Sequence, residues 1–178
     1  HPPERIVTLA PSITEIVYYL GLGDRVVGVT QFSNFPYEAS LKPKVGSYID
    51  LNVERIISVA PDLVLGTKDG NQPGPVRLLE QAGLNVFILN PKDLEQMIDS
   101  LIMVGRLCGI SEKANRKAIE LERRIEHIRN KVKGYPKPQI FFQINPRPVM
   151  TINKATFLHD LISLAGGHNI AAEAQIKY

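Results

Sequence analysis

Short apolar runs and amphipathic stretches alternate along the first half of the chain. Arg5–Ala10 (RIVTLA) is an apolar run that stops at Pro11, the length and punctuation of a strand. Ser12-Ile13-Thr14-Glu15 follows with capping-box spacing, which predicts a helix entered at Ser12 with Glu15 reaching back to the cap. That helix continues through Val17, Tyr18 and Leu20 and stops at Gly21 or Gly23. Val26–Val29 reads as a second strand, and Gln31–Leu41 as a loop carrying Phe32, Phe35, Pro36 and Tyr37. Asn52 is placed to cap a helix over Val53–Val59, and Pro61-Asp62 marks the turn after it. Leu63–Leu65 is a third strand, apolar throughout as in a sheet covered on both faces. Pro73–Ala82 reads as a helix closed by Gly83, and Val86–Leu89 as a fourth strand. This alternation predicts an α/β lobe on a mainly parallel sheet.

The rhythm then changes. Leu94, Met97, Ile98, Leu101 and Leu107 share one helical face, and Gly109 interrupts. Ala114, Ala118, Leu121, Ile125, Ile128 and Val132 then form an apolar stripe at steps of three and four. Gly134-Tyr135-Pro136-Lys137-Pro138 ends the helical stretch. Gln139–Ile144 (QIFFQI) and Val149–Ile152 read as strands, and Thr156–Ala165 as a helix that Gly166-Gly167 closes. The expected organisation is a three-layer N-terminal α/β lobe over residues 1–92, a helical linker with a long backbone helix over 93–135, and an incomplete second α/β lobe over 136–178. The last part is too short for a core of its own. Its strand and helix faces lack partners, which predicts cover by a second copy of the chain, as a homo-oligomer or a domain swap through residues 138–178, or else poor order there.

Charge sharpens this layout. The net charge of the 178 residues is +3, and the excess is local. From Ser111 to Lys133 eight Lys and Arg face four Glu, whereas the remainder carries 13 bases and 14 acids. Glu and Arg or Lys alternating at three and four residues mark a solvated helix face. A spread basic face with stacking aromatics is missing, so nucleic acid is not an expected partner. No run reaches the roughly 18–20 apolar residues of a membrane span. The start, HPPERIV, has no apolar region behind a basic one, so no signal sequence is visible in it.

Candidate chemistry is sparse. Cys108 is alone among apolar neighbours, which predicts a buried, inert thiol and excludes an intrachain disulfide. His1, His127, His159 and His168 fall at no metal-ligand spacing, so no resident metal or cofactor is expected. GTKDGNQPG lacks the spacing of a phosphate loop, and Pro73 and Pro75 interrupt its amides. No nucleophile elbow or local catalytic set is present, so the chain reads as a non-enzyme.

The segments RIVTLAPSITEIVYYLGLGDRVVGVTQFSNFP, VGSYIDLNVERIISVAPDLVLG, KDGN and LLEQAGLNVFIL, with IFFQINPRP and LAGGHNI behind them, resemble the substrate-binding proteins of ABC importers for vitamin B12 and iron siderophores, most of all the cobalamin-binding branch. The resemblance implies two α/β lobes joined by a long helix, a ligand held in the cleft between them, and surface carboxylates that dock to the permease. It places Glu54 at the first-lobe docking position, and Phe32 and Tyr48 where aromatics meet a corrin ring. Thr67 falls where that branch often has a further aromatic, and Lys68, Asp69, Gly70 and Asn71 fall on the adjacent cleft loop. Met150 falls near a second-lobe contact, and His159 or His168 near the cleft of a haem-binding relative. The implied ligands are cobalamin, a ferric siderophore or haem. The implied partners are the transmembrane subunits of an ABC permease, and the implied location is periplasmic, or extracellular and membrane-anchored. A second docking acid is expected beyond Tyr178.

The residues themselves leave alternatives open. Phe32 and Tyr48 lie in loops at the carboxyl edge of the predicted sheet, where ligands bind in open α/β folds. They suit contact with a flat macrocycle, or a lid over the lobe's own core. Glu54 is explained by the dipole of the helix that Asn52 caps, worth roughly 0.3–1 kcal/mol, or by docking. Two other classes fit the layout: a flavodoxin-like enzyme using the Thr67–Asn71 loop for a phosphate-bearing cofactor, and a ligand-free interaction or sensory domain.

Overall fold

The computed structural model describes residues 1–175. Strands β1 (Ile6–Thr8), β2 (Val26–Val29), β3 (Leu63–Thr67) and β4 (Val86–Leu89) form a parallel sheet in the order β2-β1-β3-β4. Every residue of β1 and β3 is buried, as strands covered on both faces must be. Helices α1 (Pro11–Tyr19), α2 (Tyr37–Ser40), α3 (Val53–Ser58) and α4 (Pro73–Gln81) complete a three-layer α/β arrangement with the sheet. One core cluster joins Val7, Leu9 and Val64 to Ile56 of α3 and Leu79 of α4. Each such side chain contributes about 1.5–3 kcal/mol through its removal from water.

Local chemistry explains where the helices begin. Asn52 caps α3 as expected, its Oδ1 accepting from the Arg55 amide at 2.9 Å. The capping box at Ser12 does not form. Helix α1 starts two residues earlier, with Ala10 as the cap and Pro11 in the first turn, where a missing N–H leaves no bond unmade. Ser12 and Glu15 are therefore exposed residues inside the helix. The loop expected over Gln31–Leu41 contains the single turn of α2.

The stretch from 93 to 135 is two helices, α5 (Leu94–Leu107) and α6 (Ser111–Val132), interrupted at Gly109 as expected. Gly109 supplies the positive φ of +73° that turns the chain between them. A Cβ at Gly105 would collide with the side chain of Ala114, so glycine permits that approach. The chain divides into two compact units: His1–Asn90 with Leu101–Ala114, and Pro91–Ser100 with the chain from Asn115 onward. Helices α5 and α6 are each shared between the two units. Leu101, Val104 and Cys108 are buried in the first unit.

Arg25 ties this corner together, donating to the carbonyls of Pro3 (3.1 Å) and Cys108 (3.0 Å). Burial pushes the Cys108 thiol up to about 11, with Arg25 pulling it down and Asp62 adding to the rise. Folding thus favours the protonated thiol: the stability it brings is present below pH 9.0 and is lost as the pH climbs through about 11. Cys108 is expected to resist a thiol reagent in the native protein at neutral pH and to react once denaturant unfolds it. Stoichiometric labelling of the native chain within minutes would contradict this.

The second unit carries β5 (Gln139–Ile140), β6 (Gln143–Pro146), β7 (Val149–Thr151), α7 (Phe157–Leu164) and β8 (His168–Asn169). The expected single strand QIFFQI is broken, because its two ends pair differently. Gln139–Ile140 runs parallel to β8, and Gln143–Pro146 runs antiparallel to β7. Asn169 is buried and pins the unit, donating to the Ile152 carbonyl at 3.1 Å and accepting from the Ala171 amide at 3.0 Å. Asp160 of α7 accepts from the Leu94 amide at 2.9 Å, a carboxylate at the start of α5. Phe141, Ile144, Val149 and Ile170 are exposed, in line with the unpartnered faces expected of this part. The last three residues of the expected second lobe, 176–178, lie outside the described residues. Among the described residues no helix is long and apolar enough to cross a membrane.

Candidate ligand-binding edge of the first unit

The strand order sets where a site can form. The chain leaves β1 for β2 on one side and returns to place β3 on the other, so the carboxyl ends of β1 and β3 flank a switch point. Asn71 occupies it. Its Oδ1 accepts from the Thr67 amide at 2.7 Å, and its Nδ2 donates to the carbonyls of Leu9 and Tyr48, both at 2.9 Å. With 6% of its surface exposed, Asn71 joins three segments of this edge rather than presenting a polar group to solvent. Thr67 is likewise buried, at 8% exposure. Lys68 and Asp69 are exposed on the loop that Asn71 anchors.

Tyr48 lies across that loop. It sits in the turn Ser47–Asp50, which is closed by the Ser47 amide donating to the Asp50 carbonyl (2.8 Å) and the Asp50 amide donating to Ser47 Oγ (2.9 Å). Its hydroxyl donates to the Asp69 carbonyl, and its ring covers Gly70 so closely that a Cβ there would overlap it. Burial raises the Tyr48 pKa above the usual tyrosine value, and Asp69 adds to the rise. Ile49, the next residue in the turn, is 58% exposed and was not marked by any sequence signal beyond its place beside Tyr48.

Phe32 is held out on a second tight turn, in which the Ser33 amide donates to the Thr30 carbonyl at 3.0 Å. The Gln31 amide donates to the Gly46 carbonyl at 2.9 Å, which joins this turn to the segment bearing Tyr48. Beneath it runs a buried chain of hydroxyls: Thr8 to Thr14 at 2.7 Å, Thr14 to Ser33 at 3.0 Å, and Ser33 to Thr30 at 2.8 Å. Lys44 donates to the carbonyls of Ser33 (3.1 Å) and Ala39 (3.4 Å), with burial lowering its pKa. Phe32 is nonetheless 64% exposed, and Phe35 and Tyr37 are exposed beyond it. The hydroxyl chain was missed in the sequence. Its signal was a threonine within each of the apolar β1 and α1 stretches, at 8 and 14, with Thr30 and Ser33 in the loop after β2.

Glu54 is exposed in the first turn of α3, beside a shallow groove lined by Asp50, Val53, Pro75 and Leu78. Met150 belongs to the second unit, on β7, where Asn145 Nδ2 reaches its sulfur at 3.9 Å. It is not among the residues that the first unit gathers at this edge.

The parallel sheet and its switch point define an open α/β lobe. The sequence profile of the periplasmic binding proteins matches residues 6–178, and the chain belongs to that family. It is 29% identical over 177 residues to the vitamin B12-binding protein of Vibrio cholerae, covering 99% of this chain and 64% of that protein. The chain thus spans less than two-thirds of the length of this relative. The crystal structure of periplasmic vitamin B12 binding protein BtuF of Vibrio cholerae superposes with a TM-score of 0.88 at 29% identity, over 99% of this chain and 69% of that one. The periplasmic heme-binding protein RhuT from Roseiflexus sp. RS-1 also superposes at 0.88 and 29% identity, over 97% of this chain and 68% of its own.

Proposed function

We propose that the chain is the ligand-capturing part of an extracytoplasmic solute-binding component of an ABC importer, and that it takes cobalamin or a related corrinoid. The supporting observation is the pair of aromatic turns at the switch-point edge, with Phe32 held out by the hydroxyl chain and Tyr48 laid across Asp69-Gly70. A corrin ring is a broad, partly apolar plate, and rigid aromatic faces bind such plates with little loss of side-chain entropy. Lys68 on the same loop suits the polar rim of such a ligand. Glu54 docks to arginines of the permease, orienting the complex more than tightening it. Relatives named for vitamin B12 binding support the same ligand class.

Haem is the second reading, favoured by the likeness to the Roseiflexus heme-binding protein. A haem-ligating tyrosine has to ionise. The Tyr48 hydroxyl instead donates to the Asp69 carbonyl, and its pKa is raised. That environment suits stacking better than iron ligation.

Titration with cyanocobalamin, haemin and a ferric siderophore, followed by difference absorbance and calorimetry, separates these readings. Cyanocobalamin is expected to bind. Phe32→Ala is expected to weaken it roughly tenfold. Tyr48→Phe is expected to leave affinity near wild type while lowering stability by about 1 kcal/mol through the lost hydrogen bond. Binding of haemin alone, with a tyrosinate-to-iron charge-transfer band that Tyr48→Phe removes, would replace the corrinoid reading.

A further inference from the structure

The chain's positive excess, which the sequence pattern assigns to a merely solvated helix, is sorted to one flank of α6. Within the second unit Arg116, Lys117, Arg123, Arg124 and Lys131 recur at steps of one, six, seven and eight, which keeps them on one side of the helix with His127. The single carboxylate among them, Glu120, is paired with Lys117 at 3.0 Å. Arg116, Ile119, Arg123, Arg124, His127 and Ile128 line a shallow groove on this side, of about 400 Å³, together with the Lys117-paired Glu120. Ile119 and Ile128 are 46% and 39% exposed. Two further acids, Glu122 and Glu126, lie on the other flank. They line a separate groove with Glu95 and Asp99 of α5, and Arg129 there is engaged with Glu126 at 3.6 Å.

We infer that the basic flank of α6 is a docking surface for an anionic lipid bilayer. A solvated helix without a partner needs no such sorting, since alternating signs around the helix give better pairing at steps of three and four. Sorting gives the helix a basic side and an acidic side, and a planar negative surface selects between them. The Arg116–Lys131 rows extend along about 22 Å of straight helix, which matches a plane better than a closed pocket. The exposed isoleucines flanking the cations suit the boundary between headgroups and acyl chains, where interfacial helices place apolar side chains. Nucleic acid fits less well: the residues lining the groove include no Tyr, Phe or Trp on which a base would stack. The inference is independent of the ligand that the first unit takes.

Co-sedimentation of the whole chain with vesicles tests it. Vesicles of phosphatidylcholine with about one-third phosphatidylglycerol are expected to bind the protein at low salt, and vesicles of phosphatidylcholine alone are not. Binding to the anionic vesicles should vanish near ~0.5 M salt. The triple variant R116Q/R123Q/R124Q is expected to lose roughly a hundredfold in partition, while K42Q/R77Q/K137Q, which removes the same charge elsewhere, retains binding. Circular dichroism checks that both variants stay folded, and all six positions lie away from the buried core. Equal loss in the two variants would reduce the effect to net charge and overturn the proposal. No binding to anionic vesicles by the folded wild type would also overturn it, as would tighter binding to a short DNA duplex than to the vesicles.

Discussion

Asn71→Ala is expected to lower the unfolding free energy by about 3 kcal/mol. The substitution strands the Thr67 amide and the carbonyls of Leu9 and Tyr48, each held by the Asn71 side chain within 2.9 Å. At 6% exposure water has little access to replace those bonds. A buried polar group left unmatched costs about 1–3 kcal/mol, and partial relaxation of the loop keeps the sum below three full penalties. Urea titration should show a lower midpoint with an unchanged slope, because the same surface is exposed on unfolding. Asn71→Asp is the informative companion. It keeps the acceptor for Thr67 but sets a carboxylate against two carbonyl oxygens. Its destabilisation should ease at acid pH, where a protonated carboxyl regains one donor. An Asn71→Ala loss below about 1 kcal/mol would show that the edge is held by something other than this amide.

Asn71 also marks the limit of what could be read in advance. Its neighbours in space, Leu9 and Tyr48, are remote in sequence, and only the order β2-β1-β3-β4 brings them to it. The sequence pattern reaches the strands and not their order, so these three bonds of Asn71 are invisible in it. The residues whose signals are local fared better. Val26–Val29 and Val86–Leu89 have the bounds expected, since each is a short apolar run between turn residues. Asn52 caps α3 because the cap and its amide are three residues apart. The Ser12 capping box failed because a second local signal, Pro11 at the helix start, competed and prevailed. QIFFQI failed for a non-local reason: Gln139–Ile140 finds its partner at His168–Asn169, and nothing in the run itself announces the change. Phe32 and Tyr48 were legible as aromatics in loops. The hydroxyl chain and the Gly70 seat that fix them depend on tertiary neighbours.

Gly70→Ala is expected to damage stability and ligand capture together, through one collision. Gly70 has a φ of +142°, a region that L side chains rarely adopt, so any Cβ there carries about 1–3 kcal/mol of backbone strain. The new methyl would also overlap the Tyr48 ring, forcing the ring off the loop and breaking its bond to the Asp69 carbonyl. A total destabilisation of about 2–4 kcal/mol follows, with cyanocobalamin affinity falling roughly tenfold, as expected for loss of an aromatic face. A double-mutant cycle divides the two causes. With Tyr48 already truncated to alanine, the collision has no second body, and Gly70→Ala should retain only the strain. The two substitutions should therefore be less than additive by about 1–2 kcal/mol. Strict additivity would mean that the ring does not rest on Gly70 in solution. The braced aromatic plate proposed for the ligand would then lose its seat.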